Sequence, residues 1–389
     1  MSLQRKYDYI ISGGGLAGLS LAYRLINSSL SDKKILLIEP TEKNTNDRTW
    51  AFWEAKKGTF EEILYKKWTK VLFGNQEGLM SNLDMGDYAY KVIRGIDFYN
   101  FTIPKIKQHP NVTWLKDCVS TISETEQKAS VSTTQNGTFE AALVFDSTYK
   151  PKLDLEQYHN LLQHFMGWVI ETPTPRFNPE LPVMMNFGVE QQQDCRFVYV
   201  MPFSDSKALI EYTLFSSALL TEAEYKAALV DYIENILKIK EYTIDEVEFG
   251  VIPMSNEPMK QLAGKRIIRI GTAGGATNPA TGYTFQGTQK NLKALVENLE
   301  KNKGVQLKQS WLEQRFGLYQ SVLLHILNNK KQPAAEVFSR LYAKNPAWKI
   351  FRFLDNETNF SEEISIMWST KKSKFGVAAM KELWQMVKQ

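Results

Sequence analysis

The feature that most restricts how this chain can fold is a glycine-rich turn that follows its first apolar run. The run covers residues 9–11, and the turn matches the pattern G-x-G-x-x-G at Gly13, Gly15 and Gly18. In such a turn Gly13 allows a tight bend, Gly15 lets a ligand approach the backbone, and Gly18 lets the next helix pack against the strand. The pattern therefore predicts a strand, a close turn and a helix, the first half of a βαβ unit.

The residues after this turn favour a dinucleotide as the ligand. A helical pattern begins at Leu16 and Ala17, and free backbone N–H groups at a helix N-terminus attract phosphate. A second apolar run, 35–38, ends at Glu39, about 20 positions after the last glycine of the turn, where a carboxylate accepts ribose hydroxyls. An ordinary strand–helix junction would not need this acid. The predicted nucleotide contacts are Gly13, Gly15, Leu16, Ala17, Gly18 and Glu39.

Composition excludes several other classes of protein. The 389 residues carry 47 Lys and Arg against 43 Asp and Glu, without a basic tail, so no nucleic acid partner is expected. Two cysteines cannot form a disulfide framework, and the four histidines lack zinc-ligand spacing, so no metal site is expected. A polar N-terminus and the lack of long apolar runs predict a cytoplasmic protein without a membrane span.

A later loop favours FAD over NAD as the dinucleotide. Residues 265–271 read as a strand ending in glycine, and a loop of small residues leads to a helix that begins near Thr284. Small residues let backbone amides approach a bulky anionic or ring-shaped group. The loop resembles the second nucleotide-contacting loop of FAD-dependent oxidoreductases of the hydroxybenzoate-hydroxylase type. This resemblance implies cofactor contacts at Gly271, Thr272, Gly274 and Gly275.

Longer motifs, rich in tryptophan, glycine and acidic residues, lie at 46–54, 92–99, 163–168, 197–204, 209–213, 271–285 and 353–358. In their sequences and their order they resemble the motifs of the lycopene cyclase family. One position departs from the pattern, because Asn186 stands where an aspartate is expected. The resemblance implies an α/β fold: a Rossmann-type FAD-binding domain of the hydroxybenzoate-hydroxylase/glutathione-reductase type, an antiparallel β-sheet substrate domain and a helical C-terminal part.

The resemblance also implies a reaction without net redox. The family folds the linear ends of lycopene and related acyclic carotenoids into beta-ionone rings, using bound reduced FAD with NAD(P)H as its reductant. An acid protonates the terminal double bond, the neighbouring alkene attacks the cation, and a base removes an allylic proton. The site must exclude water and stabilise positive charge, which suits the 21 Phe, 17 Tyr and 9 Trp of this chain.

Three acidic residues are the candidates for acid and base. Glu211 aligns with the family's cyclase motif and lies in the apolar stretch 208–215, where desolvation would raise its pKa. The alternative is a glutamate on an edge strand that faces water. Asp355 and Glu357 align with the family's C-terminal acidic motif, although their segment also reads as a helix start in a polar turn.

Two arginines and three tryptophans are further candidates. Arg48 follows the second strand, Arg94 precedes a helical pattern, and either could contact pyrophosphate or balance the charge of reduced flavin. The alternative for each is a surface arginine. The three tryptophans could line a substrate tunnel or could simply be core residues; they are Trp50, Trp53 and Trp168.

The motifs divide the chain into an FAD-binding domain at 1–150 and 262–300, a substrate-binding domain at 151–261 and a helical region at 301–389. An apolar stripe in the last region favours a core face, at Trp311, Leu312, Phe316, Tyr319, Val322, Leu323 and Ile326. The alternative is that this stripe, or the basic and aromatic segment 348–353, touches a bilayer. Because lycopene is insoluble in water, peripheral association with the inner face of the cell membrane is expected.

Two other functions remain open at this point. An FAD-dependent reductase or hydroxylase of an isoprenoid or aromatic substrate would share the glycine loops, but would consume NAD(P)H or oxygen in proportion to product. A flavoprotein that only carries carotenoids would not require Glu211 or the acidic motifs.

Overall fold

The structure, a computed structural model, describes residues 5–150, 152–305 and 311–388. Its strands are β1 Lys6–Ser12, β2 Ile35–Ile38, β3 Thr49–Glu54, β4 Lys66–Trp68, β5 Leu72–Gly74, β6 Met80–Asn82, β7 Ala89–Arg94, β8 Val112–Leu115, β9 Val119–Glu124, β10 Ala129–Thr133, β11 Gly137–Asp146, β12 Asn160–Glu171, β13 Val183–Asn186, β14 Cys195–Pro202, β15 Lys207–Ser216, β16 Thr243–Ser255 and β17 Ile267–Arg269. Its α-helices are α1 Leu16–Ile26, α2 Gly95–Gln108, α3 Glu222–Asp231, α4 Phe285–Glu300, α5 Trp311–Asn328, α6 Ala334–Lys344, α7 Ala347–Leu354, α8 Phe360–Trp368 and α9 Lys372–Lys388.

A first sheet, which we call the parallel sheet, forms around the glycine-rich turn. Its order is β8–β2–β1–β11–β10–β9, with β17 also paired to β11. Strands β8, β2, β1, β11 and β17 run parallel, and β9 and β10 form an antiparallel hairpin at one side. Both faces of β1 and β2 are covered, by α1, α2 and α4 on one side and by the hairpin on the other. This double cover explains why β2 is apolar at every position.

A second sheet, the antiparallel sheet, has the order β16–β12–β15–β14–β13–β5–β6. All its neighbouring strands are antiparallel except β13 and β5. Along β15, Ile210 and Tyr212 pack towards α3, and Leu209 and Phe215 pack towards the C-terminal helices. Because successive side chains of a strand point to opposite faces, Glu211 lies on the second face, away from α3.

The antiparallel sheet includes strands from both sides of the predicted domain boundary at residue 150. Strands β5 and β6 belong to the segment 1–150, yet they hydrogen-bond in the sheet built mostly from 151–261. A third sheet, with the order β3–β7–β4, is made of strands that flank β5 and β6 in the sequence. The predicted α/β architecture, with a parallel sheet, an antiparallel sheet and a helical C-terminal part, is confirmed. The division into domains stays a prediction.

The predicted stripe on α5 takes part in the packing of the C-terminal helices. Phe316, Val322 and Ile326 on α5 are buried, as expected for a core face, whereas the side chains of Trp311 and Leu312 lie outside the described residues. Within α7, Phe351 is buried and stacks on a tryptophan of β3 at 4.7 Å between ring centroids. Among the described helices, none combines the length and the hydropathy needed to cross a membrane.

Gly18 gives a direct test of how closely the glycine turn is packed. A Cβ atom at Gly18 would lie 1.8 Å from the carbonyl oxygen of Gly13, whereas a Cβ at Gly15 would meet no atom within 4 Å. We expect Gly18→Ala to lower the free energy of unfolding by about 1–3 kcal/mol through overpacking. The matched control Gly15→Ala should leave the urea unfolding midpoint nearly unchanged. Equal midpoints for the two variants would contradict this packing.

Candidate active site

A cavity of about 390 Å³, the small cavity, lies where the glycine turn meets the antiparallel sheet. The turn and the start of α1 contribute Gly15 and Leu16 to its wall, and the loop after β17 contributes Gly271. The antiparallel sheet contributes Gln163 from β12 and Glu211 from β15. The structure therefore brings the predicted nucleotide loops and the predicted acid to one cavity.

The glycine turn leaves backbone groups open towards this cavity. Gly13 has a positive φ of 93°, and a Cβ there would meet the Ser147 hydroxyl at 2.4 Å, so the position requires glycine. Gly15 is the N-cap of α1 and has no side chain to satisfy the first N–H groups of the helix. Leu16 and Ala17, the first residues of α1, line the cavity. This arrangement has the geometry of an anion site.

Glu39 directly follows β2, as the sequence predicts, and is buried. One carboxylate oxygen accepts a hydrogen bond from the Gly14 N–H at 2.7 Å, and the other accepts one from the Thr41 N–H at 3.0 Å. The carboxylate therefore holds the glycine turn in place from the side of β2. Its contact with a ribose stays a prediction.

The loop after β17 approaches the glycine turn from the opposite side. Gly271 has a positive φ of 64°, and a Cβ there would lie 2.8 Å from the Cβ of Ala17. The loop begins with a 3-10 turn over Gly271–Gly274, and α4 starts at Phe285 after Thr284, as predicted. Thr272 lines the small cavity. Gly274 and Gly275 instead line a second cavity of about 1080 Å³, the large cavity.

Glu211 lies opposite a second glutamate that the sequence did not single out. In the register of the antiparallel sheet, Gly167 on β12 pairs with Glu211 on one side and with Glu248 of β16 on the other. A Cβ at Gly167 would come within 3.1 Å of the Glu248 Cγ and 3.5 Å of the Glu211 Cβ. The glycine therefore leaves room for the two side chains to meet above it. Strand β15 is flanked by β12 and β14, which excludes the edge-strand alternative.

The two glutamates, which we call the carboxyl pair, are both buried, with 7% and 8% of their surfaces exposed. Burial raises the pKa of Glu211 well above its ordinary value, and the adjacent Glu248 carboxylate raises it further. Burial also raises the pKa of Glu248, although hydrogen bonds from Glu211 and Thr49 act in the opposite direction. Both shifts favour the retention of a proton that the two carboxyls share.

The hydrogen bonds around the pair agree with this assignment. The Thr213 hydroxyl donates to Glu211 Oε1 at 3.0 Å, and the Thr49 hydroxyl donates to Glu248 Oε2 at 2.8 Å. Glu248 Oε1 is buried and meets no N–H or hydroxyl donor in the part of the chain that the structure describes. A proton on Glu211 would give this oxygen the donor that it lacks.

Aromatic rings form much of the remaining wall of the small cavity. Tyr199 and Tyr283 lie side by side with 3.3 Å between their hydroxyl oxygens, and burial raises the pKa of Tyr283 to about 12. Trp50 also lines this cavity, whereas Trp53 lines the large one. Trp168 packs with the core against α3 and lines neither. Two of the three predicted tunnel tryptophans thus border a cavity.

Asp355 and Glu357 lie at the large cavity rather than beside Glu211. Asp355 is the C-cap of α7, and its carboxylate accepts a hydrogen bond from the Trp53 indole N–H at 3.0 Å. Burial raises the pKa of Asp355 to about 6. Glu357 is half exposed and paired with Lys290 at 2.6 Å. The segment is a polar turn, and the helix after it starts later, at Phe360.

The predicted arginines differ in their surroundings. Arg48 lines the small cavity and pairs with Asp47 at 3.0 Å. Arg94 lines neither cavity, because its guanidinium pairs with Asp97 at 2.7 Å and lies 3.9 Å from the centre of the Tyr65 ring. Of the two, the structure brings only Arg48 to the site.

Asn186, the departure from the family pattern, is also away from both cavities. Its amide N–H₂ donates to the Tyr232 hydroxyl at 2.8 Å, and its carbonyl oxygen accepts from the Gly188 N–H at 2.9 Å. The side chain is buried and both its polar ends have partners. An uncharged amide at this position therefore fits the packing without affecting the charge of the small cavity.

Solved structures with low sequence identity share this fold. A flavoprotein/dehydrogenase from Cytophaga hutchinsonii matches with a TM-score of 0.67 and 13% identity, over 97% of this chain and 100% of the other. Halogenase PltM in complex with phloroglucinol and FAD matches with a TM-score of 0.58 and 13% identity, over 98% of this chain and 91% of the other. These likenesses show a fold that FAD-binding proteins also adopt.

Sequence comparisons are more specific. A lycopene beta cyclase from Nicotiana tabacum chloroplasts is 23% identical over 72% of this chain, and the match spans 58% of the tobacco protein. A lycopene beta-cyclase from a Paracoccus species is 33% identical over 32% of this chain and 32% of its own length. The sequence profile described as Lycopene cyclase protein matches residues 8–382. The chain therefore belongs to the lycopene cyclase family.

Proposed function

We propose that this protein cyclises the linear ends of lycopene into beta-ionone rings by acid catalysis without net redox. The observation that carries the proposal is the buried carboxyl pair, whose member Glu211 has a raised pKa and lines the same cavity as the glycine turn. The names of the similar sequences, which are lycopene beta-cyclases, support the choice of substrate and ring.

In this proposal Glu211 is the acid. Its raised pKa favours the protonated carboxyl, which could give a proton to the terminal double bond of the carotenoid. Attack by the neighbouring alkene then closes the ring and moves the positive charge to a ring carbon. The pair, now doubly ionised, takes up one allylic proton. One proton is given and one is recovered, so the cycle needs no net electrons.

The walls of the cavity suit a cationic intermediate. Tyr90, Tyr199 and Tyr283 present aromatic rings there, and a ring face stabilises a nearby cation by about 0.5–2 kcal/mol. Burial raises the pKa of all three phenols, so they stay neutral and are poor nucleophiles. Exclusion of water protects the cation from capture.

We further propose that FAD binds in the small cavity. The open space at Gly15 and the uncapped start of α1 fit a pyrophosphate, and Glu39 and Gly271 border the same turn. Gln163 Oε1 and Thr288 Oγ1 line this cavity as buried polar atoms that have no partner among the described residues. When bound and reduced by NAD(P)H, FAD would supply an electron-rich ring that can stabilise a cation.

Among the remaining candidates we assign supporting roles. Arg48 lies where its charge would balance an anionic flavin, whereas Arg94 orders the start of α2 through Asp97. Asp355 and Glu357 act at the large cavity, and neither is the cyclising acid. Tyr283 lines both cavities, so its ring forms part of the wall between them.

Replacement of the acid gives the first test of the reaction. Glu211→Gln keeps the size of the side chain but removes its acidic proton, so we expect turnover of lycopene to fall about 10²–10⁴-fold. Carotenoid products are measured by chromatography, while flavin content and unfolding midpoint should stay unchanged. The control Glu171→Gln, at the exposed end of β12, should retain the full rate. Full activity in Glu211→Gln would contradict the assignment.

The pH profile tests the coupling within the pair. Because the acid form is required, activity should fall as pH rises through the raised pKa of Glu211. Glu248→Gln removes the like charge that raises this pKa, so the falling limb should move to lower pH. A limb at an unchanged pH in Glu248→Gln would show that the two carboxyls do not share a proton.

The C-terminal helices carry the surface that we propose for membrane contact. No described residue of the earlier candidates, the stripe and the segment 348–353, is exposed, but Phe360 and Trp368 on α8 and Met380 on α9 are 60%, 64% and 66% exposed. A basic residue lies beside these apolar side chains, because the Lys372 ammonium is 3.4 Å from the centre of the Trp368 ring. Apolar and basic residues together suit an anionic lipid surface.

Vesicle flotation tests this surface. We expect the protein to float with anionic vesicles, and Phe360→Ser combined with Trp368→Ser should reduce the bound fraction several-fold. Leu155→Ser is the control, because Leu155 is 75% exposed and lies outside α8 and α9. Failure of the unsubstituted protein to float, or an equal loss in the control, would contradict this assignment.

A further inference from the structure

Two histidines and one glutamate from three separate elements meet at one point in the structure. His159 precedes β12, His325 lies in the last turn of α5, and Glu382 lies on α9. We call these residues the His–His–Glu cluster. Their spacing along the chain gave no sign of a metal site, because the fold alone brings them together. None of the three takes part in the proposed cyclisation.

The three facing atoms are unusually close to one another. His159 Nε2 lies 2.8 Å and His325 Nδ1 lies 2.7 Å from the same oxygen, Glu382 Oε1. The two ring nitrogens are 3.1 Å apart. Each ring nitrogen carries at most one hydrogen, so these three contacts cannot all be linear hydrogen bonds. A cation between the atoms would satisfy all three at once.

The spacing also fits the geometry of a bound ion. With metal–ligand distances of about 2.1 Å, ligands at right angles lie about 3.0 Å apart and tetrahedral ligands about 3.4 Å apart. The observed range of 2.7–3.1 Å is closest to three ligands on one face of an ion, with further positions open. Two imidazoles and one carboxylate are typical ligands of first-row divalent metals.

The surroundings hold the cluster in place. His325 and Glu382 are buried, with 8% and 2% of their surfaces exposed. Asn256 links His159 to Glu382. Its side-chain oxygen accepts from the His159 backbone N–H at 2.8 Å, and its side-chain N–H₂ donates to Glu382 Oε2 at 3.3 Å. Outer contacts of this kind orient metal ligands.

We propose that His159, His325 and Glu382 bind one divalent transition-metal ion of the Zn²⁺ class. The ion would tie α5 and α9 to the start of β12 in the antiparallel sheet. Its open positions would accept water or another oxygen donor, and Glu382 also borders the large cavity. The proposal is independent of the cyclase assignment, which rests on other residues.

Calorimetric titration of the full, chelator-treated protein with Zn²⁺ tests this site. We expect one ion per chain, with affinity reduced at least tenfold in Glu382→Gln and in His159→Ala. Glu382→Gln keeps the shape of the side chain and its ability to accept hydrogen bonds. His109→Ala is the matched control, because His109 lines neither cavity and, among the described residues, its ring contacts the Asn111 N–H and not another histidine.

A thermal shift measurement keeps the test decisive if one variant folds poorly. Zn²⁺ should raise the unfolding midpoint of the unsubstituted protein and of His109→Ala by several degrees, but not that of Glu382→Gln or His159→Ala. The proposal is overturned if the unsubstituted protein binds no Zn²⁺, or if Glu382→Gln and His159→Ala bind it as tightly as the control.

Discussion

The proton shared by Glu211 and Glu248 is the interaction on which the proposed chemistry depends. Two carboxyls without an intervening side chain can meet only because Gly167 occupies the strand between them. Burial makes two negative charges at this place unfavourable, so retention of one proton is favoured.

The fold places Glu211 beside the proposed dinucleotide site. The glycine turn emerges from the parallel sheet, the loop after β17 closes against it at Gly271, and the face of β15 that carries Glu211 completes the cavity. The glycine turn alone would suit only a nucleotide, and the carboxyl pair alone would be an isolated buried charge. Because the turn and Glu211 line the same cavity, an acid–base function for the pair is a reasonable proposal.

Much of this arrangement follows from local sequence patterns. The glycine turn, the position of Glu39 after β2 and the start of α4 near Thr284 depend on neighbouring residues, and the structure has all three as expected. Glu211 was identified from an apolar segment and a motif. Glu248 was missed because its importance depends on the register of β16 against β12, which no local pattern specifies.

Other features could not be predicted for the same physical reason. Strands β5 and β6 join the antiparallel sheet through a parallel pairing with β13, a long-range contact. The His–His–Glu cluster forms from a residue just before β12 and from residues on α5 and α9, which are far apart in the sequence. Arg94 was a reasonable cofactor contact by position, but its nearest partners, Asp97 and Tyr65, occupy its guanidinium.

The central claim, acid catalysis without net redox, is tested most directly by counting electrons. Lycopene is incubated without oxygen with the FAD-loaded protein and a limiting amount of reductant, and the products are identified by mass and chromatography. The account predicts cyclised carotenoid of unchanged mass in molar excess over the electrons supplied. Product in proportion to the electrons supplied, or product with a changed mass, would contradict it.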